Sequence, residues 1–325
     1  MSTPIRLLQT LVLGTWLSLA SQPANAQGFP TRPIEIILPA AAGGTTDTAL
    51  RMLSSRWQEF LGQPVVVVNV PGAGGAIGAN RAAHAKPDGY TLMSAYDSLL
   101  VALPFVQKSV QYDLNSFDYL AGYGLGALYF SVPSSSPYKT IQQVIDAAKA
   151  RPGSLNYGSY GIGVITHFAA ERLWELSGAR LTYVPYKSSP ETVMALIGSQ
   201  IDLAVTAGAG PAANNPRVRI LAVASEHRRP DQPDVPTLKE LGYPVVLDYI
   251  SGIVAPKGLA PDVKEKLLST LRMTLDKYGD EFKSYLESNA DLLYQEMSGD
   301  EIKAIWQDRL GWFEDLAKKM KLDPR

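Results

Sequence analysis

Four turns rich in glycine or hydroxyl residues stand out in this sequence, and each lies between a strand-like run and a predicted helix. They occupy residues 39–47 (PAAAGGTTD), 69–80 (NVPGAGGAIGAN), 157–167 (YGSYGIGVITH) and 184–192 (VPYKSSPET). A helix N-terminus leaves about four backbone N–H groups unpaired and carries roughly half a positive charge. Glycine lets a ligand approach that backbone closely, so these turns predict seats for a carboxylate or another small anion.

No catalytic motif accompanies these turns. A G-x-S-x-G elbow is absent because Tyr157 stands two residues before Ser159. There is no cysteine, and the three histidines form no H-E-x-x-H zinc motif. The PGAGGAIG segment resembles a dinucleotide fingerprint, but Ile77 replaces its third glycine. We therefore predict a binding protein without cofactor or metal rather than an enzyme; an exported enzyme is the remote alternative.

The elements around the turns alternate between strands and helices, which predicts an α/β fold with largely parallel sheets. Runs such as IEIIL (34–38) and VVVV (65–68) indicate buried strands, and Gly62 ends the amphipathic helix between them. The pattern lapses over residues 122–127 (GYGLGA), after which a second α/β unit begins. No internal repeat is visible.

The end of the chain has a different pattern. After residue 256 we predict helices only, with Ser298 and Glu301 forming a capping box before an apolar stripe that includes Trp306 and Phe313. We expect this helical segment to pack on the first α/β unit.

The N-terminus predicts export. Arg6 precedes an apolar stretch, and the Ala-Asn-Ala of residues 24–26 matches a cleavage site, so we expect a signal peptide over residues 1–26 that is cleaved after Ala26. Without cysteine there is neither a thiol for a lipid anchor nor a disulfide. The 30 basic and 31 acidic residues give a net charge of −1, which does not suggest a nucleic-acid partner.

A family resemblance covers nearly the whole mature sequence. Its blocks include PTRPIEIILPAAAGGTTD, LGQPVVVVNVPGAGGAIGAN, RPGSLNYGSYGIGVITHFAAE, LTYVPYK, IGSQIDLAV, LAVASEHRRPDQPDVPTLKELGYP and GIVAPKGLAPDV. In number, order and spacing these blocks resemble the tripartite tricarboxylate transporter substrate-binding proteins, the Bug or TctC-like family of periplasmic receptors.

The resemblance implies a type II periplasmic-binding-protein fold, in which two α/β lobes joined by two crossovers hold the ligand in a cleft. Lobe 1 would comprise residues 27–124 and 250–325, and lobe 2 residues 125–249. The resemblance also implies a monomeric periplasmic protein that closes on a small carboxylate and passes it to a two-subunit membrane permease. Docking on a sensor domain of a sensor kinase is the alternative destination.

The resemblance further implies which residues meet the ligand. On lobe 1 they are Ala41, Ala42, Gly43, Gly44, Thr45 and Thr46 in the first turn, and Gly72, Ala73, Gly74, Gly75 and Ala76 in the second. On lobe 2 they are Ser159, Gly161, Gly163, Val164, His167, Lys187, Ser188 and Thr206. Tyr96, Asp97 and Tyr249 complete the predicted set near the hinge.

Several positions depart from the family pattern. Ala40 and Ala42 replace an aromatic residue and a proline, and Val164 and Ile165 replace hydroxyl residues. Thr206 and Ala207 replace an acidic–amide pair, and Asp97 occupies a turn that is commonly small and neutral. These changes weaken the expectation of a simple di- or tricarboxylate. They add two alternatives: a partly apolar or aromatic carboxylate, and a ligand with a cationic group facing Asp97.

Purely structural interpretations remain open for single residues. His167 is as consistent with a core or capping role as with a ligand contact, and Lys187 with a solvated side chain. Tyr96 and Tyr249 can equally fill a lobe interface.

Overall fold

The computed structural model describes residues 28–208, 215–230, 232–287 and 292–322. The predicted signal peptide and its cleavage site lie outside this range. Two β-sheets flanked by helices form two lobes, so the α/β fold predicted from the sequence is confirmed. Within the described residues, no helix is both long and apolar enough to span a bilayer.

The first sheet has six strands. They are β1 (Ile34–Leu38), β2 (Val65–Asn69), β3 (Thr91–Tyr96), β4 (Phe117–Gly126), β10 (Tyr249–Pro256) and β11 (Leu292–Ser298). Their order across the sheet is β11-β4-β10-β3-β1-β2. β1 pairs in parallel with β2 and β3, whereas β10 is antiparallel to both β3 and β4.

The second sheet has five strands. They are β5 (Leu128–Pro133), β6 (Asn156–Ser159), β7 (Thr182–Pro185), β8 (Leu203–Ala207) and β9 (Val218–Val223), in the order β7-β6-β8-β5-β9. The strand that enters from the other lobe, β5 here and β10 in the first sheet, lies antiparallel within each sheet. The two lobes therefore share one topology although their sequences show no repeat.

In the described part of the chain, seven longer helices cover the sheets. They are α1 (Thr45–Leu61), α2 (Ala76–Ala83), α3 (Ile141–Ala150), α4 (Ile165–Ser177), α5 (Ser189–Ile197), α6 (Pro261–Tyr285) and α7 (Gly299–Lys319). Gly62 ends α1 with a φ of 71°, a left-handed conformation that glycine adopts without strain. Short helical turns over Ser98–Ala102 and Leu103–Phe105 follow β3.

The glycine-rich stretch at residues 122–127, which shows no strand pattern, is largely the second half of β4. Its glycines serve close packing: a Cβ on Gly122 would lie 2.7 Å from Ile302 Cγ2, and one on Gly126 would lie 1.9 Å from the Tyr249 ring carbon Cζ. Backbone pairing with β10 and β11 holds this strand despite the low intrinsic strand preference of glycine.

The expectation of helices alone after residue 256 is wrong at one place, because β11 adds an edge strand to β4. A bulge between Tyr294 and Met297 breaks the alternation of buried and exposed side chains. The free edge of β4 decides this pairing, so the local sequence carried little sign of it. The predicted capping box at the start of α7 is confirmed: Ser298 Oγ accepts from Glu301 N at 3.2 Å.

Helix α7 packs on both lobes, whereas the sequence led us to expect contact with the first alone. Trp306 packs edge-to-face on Tyr119 of β4, with ring centroids 5.8 Å apart. Farther along the helix, Phe313 packs edge-to-face on Phe168 of α4 at 5.2 Å. Lys319 Nζ lies 3.3 Å from the Glu175 carboxylate of the same α4. The C-terminal helix is thus a third physical link between the lobes.

An ion pair ties α7 to the second crossover. The Asp97 carboxylate, 0 % exposed at the end of β3, accepts a hydrogen bond from Arg309 of α7. Arg309 also donates to the carbonyl oxygen of Asp248 at 2.9 Å, and Ile250 N lies 3.4 Å from Asp97 Oδ2. The Arg309 guanidinium therefore fixes the point at which the chain re-enters the first lobe.

Arg309→Met is expected to destabilise the protein by about 3–5 kcal/mol, because it leaves the Asp97 carboxylate buried without its cation. Burial raises the pKa of Asp97 to about 6, although Arg309 opposes the rise. A folded-state pKa above the ordinary 3.8 means that protonation favours the folded state, and this gain is lost as the pH rises through 6. Thermal unfolding should therefore show a larger loss at pH 8 than at pH 5. Equal losses at both pH values would contradict this prediction, and adding Asp97→Asn should recover most of the loss.

Candidate functional site

The first turn is held in place by a buried carboxylate. Asp47, 4 % exposed in the first turn of α1, accepts from Gly43 N at 2.9 Å, Arg51 Nε at 3.0 Å and Asn69 Nδ2 at 3.0 Å. Burial alone would raise the pKa of Asp47, but these hydrogen bonds outweigh it and lower the pKa below its usual value. Asp47 is therefore ionised and organises the turn, and Asn69 links it to the end of β2.

The second turn lies against the first. It runs through a short helical turn over Ala73–Gly75, with left-handed φ values of 65° at Gly74 and 103° at Gly75. A Cβ on Gly75 would lie 3.0 Å from the carbonyl oxygen of Pro39, in the first turn, and 3.0 Å from the Tyr96 hydroxyl. Only glycine permits this approach, so the two turns and Tyr96 form one surface.

The helices that start at the first three turns lack side-chain caps. The N-cap residues Gly44 of α1, Gly75 of α2 and Val164 of α4 make no capping hydrogen bond. By contrast, the side chains of Thr140 and Ser298 cap α3 and α7. Helix α6 also lacks a side-chain cap, but the proline at its first position removes one N–H. Helix starts without side-chain caps thus gather where the first three turns meet.

The polar groups of the third turn form hydrogen bonds with side chains of the second lobe. Tyr183 donates from its hydroxyl to the Gly161 carbonyl at 2.5 Å and lies 3.0 Å from Ser159 Oγ. Gly163 N donates to His167 Nδ1 at 3.1 Å, and the His167 ring stacks on Tyr183 at 4.0 Å. Burial lowers the pKa of His167 to about 4, so the ring is neutral near pH 7.

The lobes touch directly at this turn. A Cβ on Gly74 of lobe 1 would lie 3.4 Å from Val164 Cγ1 of lobe 2. A Cβ on Gly163 would lie 2.2 Å from Val106 Cγ2, in the loop after the short helical turns that follow β3. The structure is therefore a closed arrangement with apolar contacts across the cleft.

The fourth turn satisfies its own hydrogen bonds. Ser188 Oγ accepts from Glu191 N at 3.3 Å, and the Glu191 carboxylate accepts from Lys187 N at 2.8 Å. The Lys187 side chain is exposed. Thr206, at the end of β8, is buried and donates to the Gly208 carbonyl at 3.1 Å. The polar groups of Ser188, Glu191 and Thr206 are therefore hydrogen-bonded within the chain, and the Lys187 side chain is exposed to solvent.

Several tyrosines lie near these turns, and one of them, Tyr160, was not among the predicted site residues. Tyr160 follows Ser159, and its hydroxyl interacts electrostatically with the hydroxyls of Tyr96 and Tyr249 and with the Asp97 carboxylate. Burial first, and then these neighbours, raise the pKa of Tyr160 well above its usual value. Its hydroxyl makes no hydrogen bond to any residue that the structure describes. Tyr160 could have been predicted as a site residue because it lies inside the third turn, but the prediction for that turn rested on its glycines.

Charge at the hinge is balanced within the chain. The cation that faces Asp97 is Arg309, so the carboxylate has a partner without any ligand amine. Among the described residues, no group of three or more His, Asp or Glu side chains is arranged to hold a metal ion.

Similar proteins of known structure include a periplasmic binding protein and two proteins solved with a bound dicarboxylate. The periplasmic binding protein BugD is 28% identical, with a TM-score of 0.81 over 91% of this chain and 99% of BugD. MatC from Rhodopseudomonas palustris, solved with bound malate, is 26% identical with a TM-score of 0.80, over 89% of this chain and 99% of MatC. A second R. palustris protein, solved with adipate, is 25% identical with a TM-score of 0.82, over 89% and 97%.

Sequence comparison agrees. The chain is 40% identical over 266 residues to the UPF0065 protein in the gbd 5' region of Cupriavidus necator, covering 80% of each. The tripartite tricarboxylate transporter family receptor model matches residues 49–322, and the chain therefore belongs to this family of solute-binding receptors.

Proposed function

We propose that this protein is a periplasmic receptor that captures a small carboxylate by lobe closure and delivers it to a two-subunit membrane permease. The observation that carries the proposal is the meeting of two uncapped helix starts, α1 and α2, on one surface of lobe 1. Malate in one related structure and adipate in another support a carboxylate ligand. The predicted signal peptide and the periplasmic binding protein BugD support the location.

The carboxylate would bind at the first two turns. Amides in the first turns of α1 and α2 would provide donors, apart from that of Ala76, which is bonded to the Ala73 carbonyl. The two helix dipoles favour a negative charge there. Micromolar affinity requires about 8 kcal/mol. Hydrogen bonds from backbone N–H groups to charged oxygens contribute roughly 1.5–3 kcal/mol each before the costs of binding, so a few of them suffice without an arginine.

Closure would add the second lobe. Tyr160 is the residue of lobe 2 that would donate to the bound carboxylate, because its hydroxyl interacts electrostatically with that of Tyr96, which lies beside the second turn. A donor that reaches the ligand only when the lobes meet makes binding favour the closed form.

Isothermal titration calorimetry against a panel of small carboxylates should show saturable binding to at least one of them. Chromatography of the same mixtures should recover the acid unchanged, because a receptor releases its ligand without transforming it. Conversion of the acid would contradict the receptor function. Failure of the whole panel to bind would contradict the carboxylate seat.

Gly163→Ala is expected to weaken ligand binding by about tenfold or more, because the new Cβ would collide with Val106 and oppose closure. Gly178→Ala is the matched control: Gly178 has a φ of 71°, close to the 73° of Gly163, but a Cβ added there would have no atom within 4 Å. Both variants should lose similar thermal stability, and only Gly163→Ala should lose affinity in calorimetry. An equal loss in both would show that backbone strain, not lobe contact, is responsible.

Tyr160→Phe is expected to weaken carboxylate binding by roughly 10- to 100-fold, the effect of removing one hydrogen bond of about 1.5–3 kcal/mol to a charged group. Tyr243→Phe is the control, since it removes a surface hydroxyl that lies 3.0 Å from Gln142 Oε1. Calorimetry on the two variants separates these effects. Unchanged affinity in Tyr160→Phe would exclude this hydroxyl as the donor from lobe 2.

A further inference from the structure

We infer that the ligand carries a single carboxylate on a neutral apolar or aromatic body. This inference rests on the proposed function and narrows it, because malate and adipate, in the related structures, each carry two carboxylates. A second carboxylate enclosed in the cleft would need its own donors or a cation on lobe 2, since burying an uncompensated charge is costly.

The polar groups of lobe 2 near the cleft are already engaged. Ser159 and the Gly161 carbonyl interact with Tyr183, and Gly163 N donates to His167. At the fourth turn, Ser188 and Glu191 take the amide donors. Among the described residues of these two turns, few donors are therefore free, whereas the starts of α1 and α2 on lobe 1 remain without side-chain caps.

The start of α4 also lacks a side-chain cap, but its first residues are buried. Val164 is 0 % exposed and Ile165 is 1 % exposed, and Val164 faces Gly74 across the closed cleft. Residues 41–43 and 71–73 on lobe 1, by contrast, are exposed. Thr166 has a buried hydroxyl without a partner among the described residues. That neutral group can serve a ligand hydroxyl or carbonyl, but it does not balance a second negative charge.

Cations around the turns are either paired within the chain or solvated. Arg309 pairs with Asp97, and Arg51 pairs with Asp47. Lys187 extends from an exposed position.

The walls of the cleft suit a neutral body. Tyr96 and Tyr160 are half-buried, so their rings present aromatic surface. Leu99, Leu103 and Val164, beside the glycines of the second turn, are 0 % exposed and do not line this surface. Aromatic surface gains from burying a hydrocarbon or an aromatic ring, whereas it does not compensate a second carboxylate.

Matched pairs of acids test this inference on the mature full-length protein by thermal shift and calorimetry. The pairs are butanoate with succinate, hexanoate with adipate, octanoate with suberate, and benzoate with terephthalate, and the members of each pair differ by one carboxylate. We expect a monoacid to bind at least tenfold more tightly than its matched diacid in the pair that fits best. Lys187→Met should leave that preference unchanged.

Two results would overturn the inference while leaving the receptor function intact. One is a diacid that binds as tightly as its monoacid or more tightly. The other is diacid binding that Lys187→Met alone abolishes, which would place a second carboxylate seat at that lysine. If no acid of any pair binds, the carboxylate function itself fails and the inference fails with it.

Discussion

The site depends on one constraint: the amide N–H groups in the first turns of α1 and α2 must not be taken by side-chain caps, and the two helix starts must lie on the same surface. Side-chain caps would normally satisfy such groups, as Thr140 and Ser298 do elsewhere in this chain. Here the N-cap positions are Gly44 and Gly75, which have no side chain to offer. Asp47 stabilises the first turn by taking the Gly43 amide, so the loop is ordered without blocking the helix start.

The closed arrangement depends on a second set of contacts around α7. Its first half packs on lobe 1 and its second half on α4 of lobe 2, so any opening of the cleft must slide or release the contact between Phe313 and Phe168. Arg309 fixes the crossover next to this helix and neutralises Asp97. The same guanidinium thus sets the geometry of the hinge and removes a negative charge from the proposed ligand space.

Much of the architecture could be predicted from local patterns. The helix that ends at Gly62, the cap at Thr140 and the capping box at Ser298 lie where the sequence places them, because each depends on residues within one turn. The second half of β4 and the edge strand β11 could not be predicted. Both are strands because of what pairs with them: glycines in β4 make room for Ile302 and Tyr249, and β11 completes a free edge.

The sequence by itself determined the family, the two-lobed α/β fold and the expectation of a small anion at the glycine turns, because these follow from residue order and local backbone chemistry. The ligand contacts predicted from it stay predictions. Only the tertiary structure decided which groups are free. It pairs Asp97 with Arg309, gives the polar groups of the third and fourth turns to Tyr183, His167 and Glu191, and leaves the Tyr160 hydroxyl without a described partner. Which polar groups are paired depends on partners that are distant in the sequence, so a local sequence pattern does not predict it.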